Sequence, residues 1–401
     1  MSTPDQSREL LVRCDRFLST RVAPTAEAID RSGEPDLELL REGAELGFAR
    51  LLFDDESRVD LSDMALVYEV TERIASVSPP LAMGLGVMRL TSYLLARFAT
   101  EEVRDRWLPA TLQGRAFGSF AISEENAGTD VRAGVTVARE DGDNYILTGE
   151  KRWVGFAPVA SYAIVLAKLE STERDAPTIA LVVDMSSEGA SGERGPELAS
   201  FRGLSNGTLR FDGVAVPRSN ALQVDGFAGM MDGLNLARID ASAYACGLLR
   251  GALEVSVERA STRKAFDKRI GDLPSIQIKL GRMLAGYHAA RELTLRAGES
   301  FAAGAGGDQD LISVAKMTAS DLAREHTDQA MQIFGATGMQ AHSRVERMHR
   351  DAKAAQIFDG TSEIHETMLG RRLVRTFLRD GRHSYLPTPD LGDHAAQKAA
   401  D

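Results

Sequence analysis

Cysteine is almost missing from this chain. Its 401 residues include two, Cys14 and Cys246, both in segments that read as helical, so a disulfide framework is not expected and a reducing compartment is the default. Long apolar runs are missing as well. No uninterrupted stretch reaches the length needed to cross a bilayer. The opening Met1-Ser-Thr-Pro-Asp-Gln has neither the basic start nor the apolar run of a signal peptide. The expectation is a cytoplasmic protein with no membrane partner. Basic charge is in deficit: 47 Lys and Arg against 58 Asp and Glu give a net charge of −11. That argues against a nucleic-acid partner, whose recognition needs a basic face to displace counterions. Familiar site motifs are also absent: no Gly-x-Gly-x-x-Gly after a strand, no Walker loop, no Gly-x-Ser-x-Gly elbow and no Cys-x-x-Cys. The seven histidines are scattered without metal-ligand spacing, and no metal site is expected.

What is present is ordinary for a soluble globular enzyme: 43% apolar and 26% charged residues, on a chain long enough for two or three domains. The hydrophobic period divides it. Residues 1–117 read as helices, with Leu10, Leu11, Val12, Phe17 and Leu18 at helical spacing, a second helix after Pro35, and a third over Leu61–Ala75 stopped by Ser78-Pro79-Pro80. Residues 118–225 change to short β-branched or alternating runs such as Tyr162-Ala-Ile-Val-Leu-Ala and Thr178-Ile-Ala-Leu-Val-Val, separated by turn clusters, which predicts a compact antiparallel β-domain. Residues 226–382 return to long helices, Leu234–Arg263, Leu280–Ala303, Asp308–Phe334 and His342–Leu378, the last broken at Asp359-Gly360; four antiparallel helices predict a bundle. Residues 383–401 read as a tail.

Five segments are unusual for their surroundings. Phe120-Ala-Ile-Ser123-Glu-Glu-Asn-Ala-Gly128-Thr129-Asp130 mixes hydroxyls, acids and a glycine, so it is either a polar loop or a set of donors for a ring edge or phosphate. Trp153, one of two tryptophans, stands beside Gly155; it is either core or a flat partner for an aromatic cofactor. Arg263-Lys-Ala265-Phe266 is either a solvated helix end or a clamp in which the guanidinium holds a pyrophosphate and the ring, one helical turn on, covers a base. Gln332-Ile333-Phe-Gly335-Ala336 closes a helix with room for close backbone approach. The strongest is Arg350-Asp-Ala-Lys followed by Ile357-Phe358-Asp359-Gly360-Thr361-Ser362-Glu363-Ile364. It places a carboxylate beside a glycine turn, with a hydroxyl and a second acid behind it. Asp359 is the candidate base.

In this order and spacing the segments resemble the acyl-CoA dehydrogenase family of flavoproteins, over nearly the whole chain to about Arg375. The resemblance implies an α+β, multi-domain fold: a helical N-terminal domain, a middle antiparallel β-barrel and a C-terminal four-helix bundle. FAD would lie between the last two, in a dimer or tetramer where one subunit's bundle reaches the neighbour's FAD. It implies that Phe120, Ile122, Ser123, Gly128 and Thr129 surround the flavin ring and phosphates, with Trp153 and Gly155 beside the ring. Arg263, Ala265 and Phe266 would hold the neighbour's dinucleotide, Gln332, Ile333, Gly335 and Ala336 a second contact, and Thr361 and Glu363 a third. Thr129, Asn235, Arg238, Phe358 and Gly360 fall near the thioester of an acyl-CoA or acyl-carrier-protein substrate. Asp359 stands where many members carry a glutamate. The implied reaction is α,β-dehydrogenation, with the α-proton going to Asp359 and the β-hydride to flavin N5, and electrons passing to an electron-transfer flavoprotein or oxygen. The alternative is a flavin oxidase or monooxygenase of the same fold acting on a non-thioester substrate.

Overall fold

The computed structural model describes residues 4–171, 176–304 and 306–381. The expected tail, 383–401, lies outside them. Six helices open the chain: α1 Pro4–Phe17, α2 Ala23–Ser32, α3 Leu37–Glu45, α4 Met64–Val77, α5 Pro79–Phe98 and α6 Glu101–Leu112. α1 passes into α2 through one wider turn at Leu18–Val22. Ser78-Pro79-Pro80 ends α4 as expected, but the two prolines then occupy the first turn of α5, where their missing N–H groups cost nothing.

The middle region contributes β1 Gly118–Ala121, β2 Val137–Asp141, β3 Asn144–Gly155, β4 Tyr162–Leu169, β5 Thr178–Asp184, β6 Ala190–Arg194 and β7 Asn206–Pro217. β4 pairs with β5 along one edge, and β1 and β2 share its other edge; the sheet continues through β3 and β7 to β6. The pairings of β2–β3, β3–β7, β4–β5 and β6–β7 are antiparallel. Those of β4 with β1 and β2 are parallel, which departs from the purely antiparallel expectation. The reason is that the chain leaves β1 by a long connection instead of a hairpin. The result is a half-barrel: no pairing among the described residues joins β5 to β6.

The C-terminal region is built on α7 Gly226–Thr262, which packs against α8 Pro274–Ala302, α9 Gln309–Phe334 and α10 Arg344–Ala355; α11 Ser362–Asp380 leans on α9. Among the described residues no helix is long and apolar enough to cross a membrane. Residues 263–269 are not helical. They form a small hairpin, β8 Lys264–Ala265 and β9 Lys268–Arg269, whose turn holds Phe266 and Asp267 at positive φ. The expected helical-turn spacing of Arg263 and Phe266 is therefore replaced by a tight turn that throws the ring outward.

α4 locks the helical domain onto the bundle. It approaches α7 so closely that a Cβ on Gly247 would meet Ala75 Cβ at 2.4 Å and Glu72 O at 2.7 Å. Glu69 and Glu72 on α4 then pair with Arg250 on α7 and Arg291 on α8. α5 adds a buried pair of its own. Arg89 lies 3.3 Å from Asp240 on α7 and donates to Thr71 Oγ1 at 3.0 Å and Phe48 O at 3.3 Å. Burial pushes the Asp240 carboxyl up, and Arg89 draws it back. Removing one member leaves an uncompensated buried charge. Asp240→Ala is expected to cost about 3–5 kcal/mol in denaturant unfolding, and Arg89→Met with Asp240→Leu to recover most of it.

Candidate active site

α10 ends at Ala355 and α11 begins at Ser362, and the six residues between them reverse the chain. Asp359 and Gly360 sit at φ +57° and +102°. Aspartate tolerates the left-handed region and glycine is at home in it, so the pair makes a sharp turn that projects the Asp359 side chain. Thr361 then caps α11 by accepting from the Ile364 N–H. The hydroxyl expected near a cofactor is thus also the device that restarts the helix.

Three helices hold this turn. Lys316 of α9, fully buried, donates to Gly360 O at 2.6 Å. Arg238 of α7 donates to Asp359 O at 3.1 Å and to Asn235 Oδ1 at 3.2 Å, and Asn235 donates to Gly306 O at 3.3 Å. His365 of α11 is buried behind the turn; a Cβ on Gly360 would meet its Nε2 at 3.0 Å. Burial raises the Asp359 carboxyl to about 6, against the pull of Lys316 and Arg238. Burial lowers Lys316 to about 8, with Asp359 opposing and Arg238 adding to the fall. Burial, then Arg238 and Lys316, lower His365 to about 4, so it is neutral at pH 7. The arrangement is a carboxylate poised near neutrality with two cations beside it. Of the residues expected near a thioester, Asn235, Arg238, Phe358 and Gly360 are brought to Asp359. Thr129 is exposed on the β-domain side.

The Arg350-Asp351 pair has a structural role that spacing alone did not reveal. Asp351, buried and pushed up to about 7, accepts from the Phe201 N–H at 2.6 Å. Arg350 donates to Ala199 O at 2.6 Å and pairs with Asp30 at 2.8 Å. Together they clamp the β6–β7 loop so that Phe201 meets Phe358 edge-on, ring centroids 5.3 Å apart. One residue past Phe358 is Asp359.

The first two cofactor segments come together on the half-barrel. Arg152 N donates to Ser123 O at 2.9 Å, and Ser119 Oγ donates to Gly155 O at 2.8 Å. Beneath them Lys151 and Glu124 form a buried pair at 2.7 Å, and Lys151 also donates to Ile122 O. β3 shifts register between Lys151 and Val154, where Trp153 stands 57% exposed at φ +61°. The strip beside it is open: a Cβ on Gly155 would meet only Val87 at 3.8 Å, and one on Gly128 nothing within 4 Å. An exposed indole beside an uncrowded glycine suits a flat ring. Phe120 is half-buried against the core. The side chains of Ile122 and Ile333 are both committed to core clusters.

Arg263, Ala265, Phe266, Gln332, Gly335 and Ala336 gather at the far end of the bundle, where Arg259 stacks on Phe334 and Phe266 is 86% exposed. From Arg238 to Arg263 α7 rises about 37 Å. One dinucleotide cannot lie against Asp359 and this group at once. Glu363 is exposed at the start of α11.

Models of the acyl-CoA dehydrogenase N-terminal, middle and C-terminal domains match residues 4–115, 119–214 and 224–374. This chain belongs to the acyl-CoA dehydrogenase family. It is 32% identical over 373 residues to the probable acyl-CoA dehydrogenase YngJ of Bacillus subtilis, covering 90% of this chain and 95% of that one. It is 31% identical over 358 residues to the cyclohexane-1-carbonyl-CoA dehydrogenase of Geobacter metallireducens, covering 88% and 94%. The butyryl-CoA dehydrogenase structure from Megasphaera elsdenii superposes with a TM-score of 0.88 at 28% identity, over 94% of this chain and all of that one. As an acyl-CoA dehydrogenase family member the chain is a flavoprotein oxidoreductase of the CH–CH class with FAD as cofactor.

Asp359 also affects stability. Its folded carboxyl titrates near 6, above the usual 3.8, so the folded chain binds that proton more tightly than the unfolded one. Stability from this group is complete at low pH and is lost as pH rises through 4 to 6. Asp359→Asn is expected to stabilise the protein by about 1–2 kcal/mol at pH 8 in denaturant unfolding, and by little below pH 4.

Proposed function

We propose that the protein carries out α,β-dehydrogenation of an acyl thioester, with Asp359 removing the α-proton. The observation that carries this is the turn at Asp359–Gly360. A carboxyl raised to about 6 stands on a turn whose backbone carbonyls are bound by Arg238 and Lys316, and both charges act on it. FAD, when bound, supplies the hydride acceptor. Gly128, Gly155 and the exposed Trp153 would hold its ring, with the backbones of residues 120–123 at its edge.

A thioester α-C–H is a weak acid, and its removal needs the carbonyl oxygen polarised as charge develops there. The N–H of Asp359 lies between the two helices and outside their ladders, so it is placed to donate. Arg238 and Lys316 fix the backbone of the turn through its two carbonyl oxygens. Their charge also holds the carboxylate below the value that burial alone would set. The Asp359 side chain is one methylene shorter than a glutamate and stands on a left-handed backbone. Near pH 7 it is ionised and ready to accept a proton, while remaining basic enough to do so.

Acyl-CoA is the substrate class supported by the family; an acyl-carrier protein would present the same thioester. The distant group around Arg263, Phe266 and Gly335 is read as serving a second subunit's FAD, which makes the working form an oligomer. Electrons would leave to an electron-transfer flavoprotein; rapid reoxidation by oxygen with peroxide release would instead favour an oxidase. The test is anaerobic mixing of the FAD-loaded protein with a set of acyl-CoA and acyl-carrier-protein thioesters, watching flavin absorbance. Reduction is expected, with a rate that rises through about pH 6. Asp359→Asn should keep FAD and lose about two to four orders of magnitude in rate. Equal rates in the two proteins would remove Asp359 from the chemistry.

A further inference from the structure

α7 supplies Arg238 to the turn and continues past it toward the interior. Ala237, Ala241 and Tyr244 fall at i, i+4 and i+7, the spacing of one helix face. The first two are small, and Tyr244 is the first large side chain met. Helical side chains lean toward the N-terminus, so its ring lies back over the turn carrying Asp240. Its hydroxyl reaches across to α5. A Cβ on Gly86 would meet the Tyr244 hydroxyl oxygen at 1.9 Å and Asp240 Oδ2 at 3.1 Å. The phenol occupies the space that any side chain at position 86 would take.

The residue after Gly86 is Val87, whose Cγ2 is the atom that a Cβ on Gly155 would meet, beside Trp153. The same turn of α5 therefore spans from the open strip on the half-barrel to Tyr244. Phe358, next to Asp359, packs on the cluster that contains Tyr244, Leu40, Phe48 and Leu85. The charge of Asp359 also acts on the Tyr244 hydroxyl, after burial, Asp240 and Arg89. Beside the phenol lies the buried Arg89–Asp240 pair with Thr71. An acyl tail extending further would displace the ring and press on that buried pair. From Arg238 to Tyr244 α7 rises about 9 Å, and the width of the ring shortens the space further.

We propose that Tyr244 is a specificity-determining residue that closes the inner end of the acyl site and restricts the enzyme to short acyl thioesters. The proposal rests on the dehydrogenation reading above. It is tested on the FAD-loaded protein with butyryl-CoA and octanoyl-CoA, by anaerobic flavin reduction and by the rise in Tm that each thioester produces. Wild type should favour butyryl-CoA by about tenfold or more, since each methylene that a pocket accepts or refuses is worth about ten- to two-hundred-fold. Tyr244→Ala should move the ratio toward octanoyl-CoA by at least about tenfold, and Tyr244→Phe should leave it in place. If Tyr244→Ala fails to fold, Tyr244→Leu carries the comparison. Wild type using octanoyl-CoA as well as butyryl-CoA overturns the proposal, as does a folded Tyr244→Ala or Tyr244→Leu protein with an unchanged ratio. If neither thioester reduces the flavin, the dehydrogenation reading fails, and the Tm shifts alone decide the pocket length: a larger shift with butyryl-CoA supports the proposal and an equal or larger one with octanoyl-CoA overturns it.

Discussion

The site depends on two carbonyl oxygens. Arg238 holds that of Asp359 and Lys316 that of Gly360, and these two bonds keep a reversed, left-handed pair of residues in place between α10 and α11. Such a turn has no ladder of its own to hold it. It persists because long side chains from α7 and α9 cross the interior to satisfy it. Both cations serve twice, since the charge that fixes the backbone also acts on the Asp359 carboxylate. The same residues therefore fix the turn and moderate the rise that burial gives the Asp359 carboxyl.

The domains meet at this turn. α4 and α5 are pressed against α7 by glycine-sized gaps and by buried acid–base pairs, which fixes α7 and with it Arg238. The half-barrel contributes its β6–β7 loop, clamped by Arg350 and Asp351, and through Phe201 it braces Phe358. It also contributes the open strip beside Trp153. The proposed site takes its carboxylate from the bundle and its flat surface from the sheet.

Much of this was legible in the sequence because the signals were periodic or local. The change from helical spacing to alternation near Gly118, and back near Gly226, separated the three regions. Asp359-Gly360 announced its own turn. What was not legible depended on tertiary contact. The parallel pairing of β4 with β1 and β2 leaves no local trace, because it is set by how a long connection returns. Phe266 reads as helical until the hairpin of residues 264–269 forms. Ile122 and Ile333 lie in functional-looking segments yet point into the core. Lys316 could have been found: it shares the face of α9 with Ile312, Ala315, Ala319 and Ala323, all buried, and a lysine on an apolar stripe calls for a specific partner. His365 and Tyr244 carried no such signal, as aromatic residues at buried helical positions are ordinary.

The central claim is that Asp359 alone reaches the acidic hydrogen of the thioester. The direct measurement is a crystal structure of the FAD-loaded protein with a bound, slowly reacting acyl-CoA. A carboxylate oxygen of Asp359 about 3–3.5 Å from the α-carbon, with the flavin on the opposite face, is the expected result. A thioester bound with its α-carbon nearer to another base, or with Asp359 turned away from it, would contradict the account.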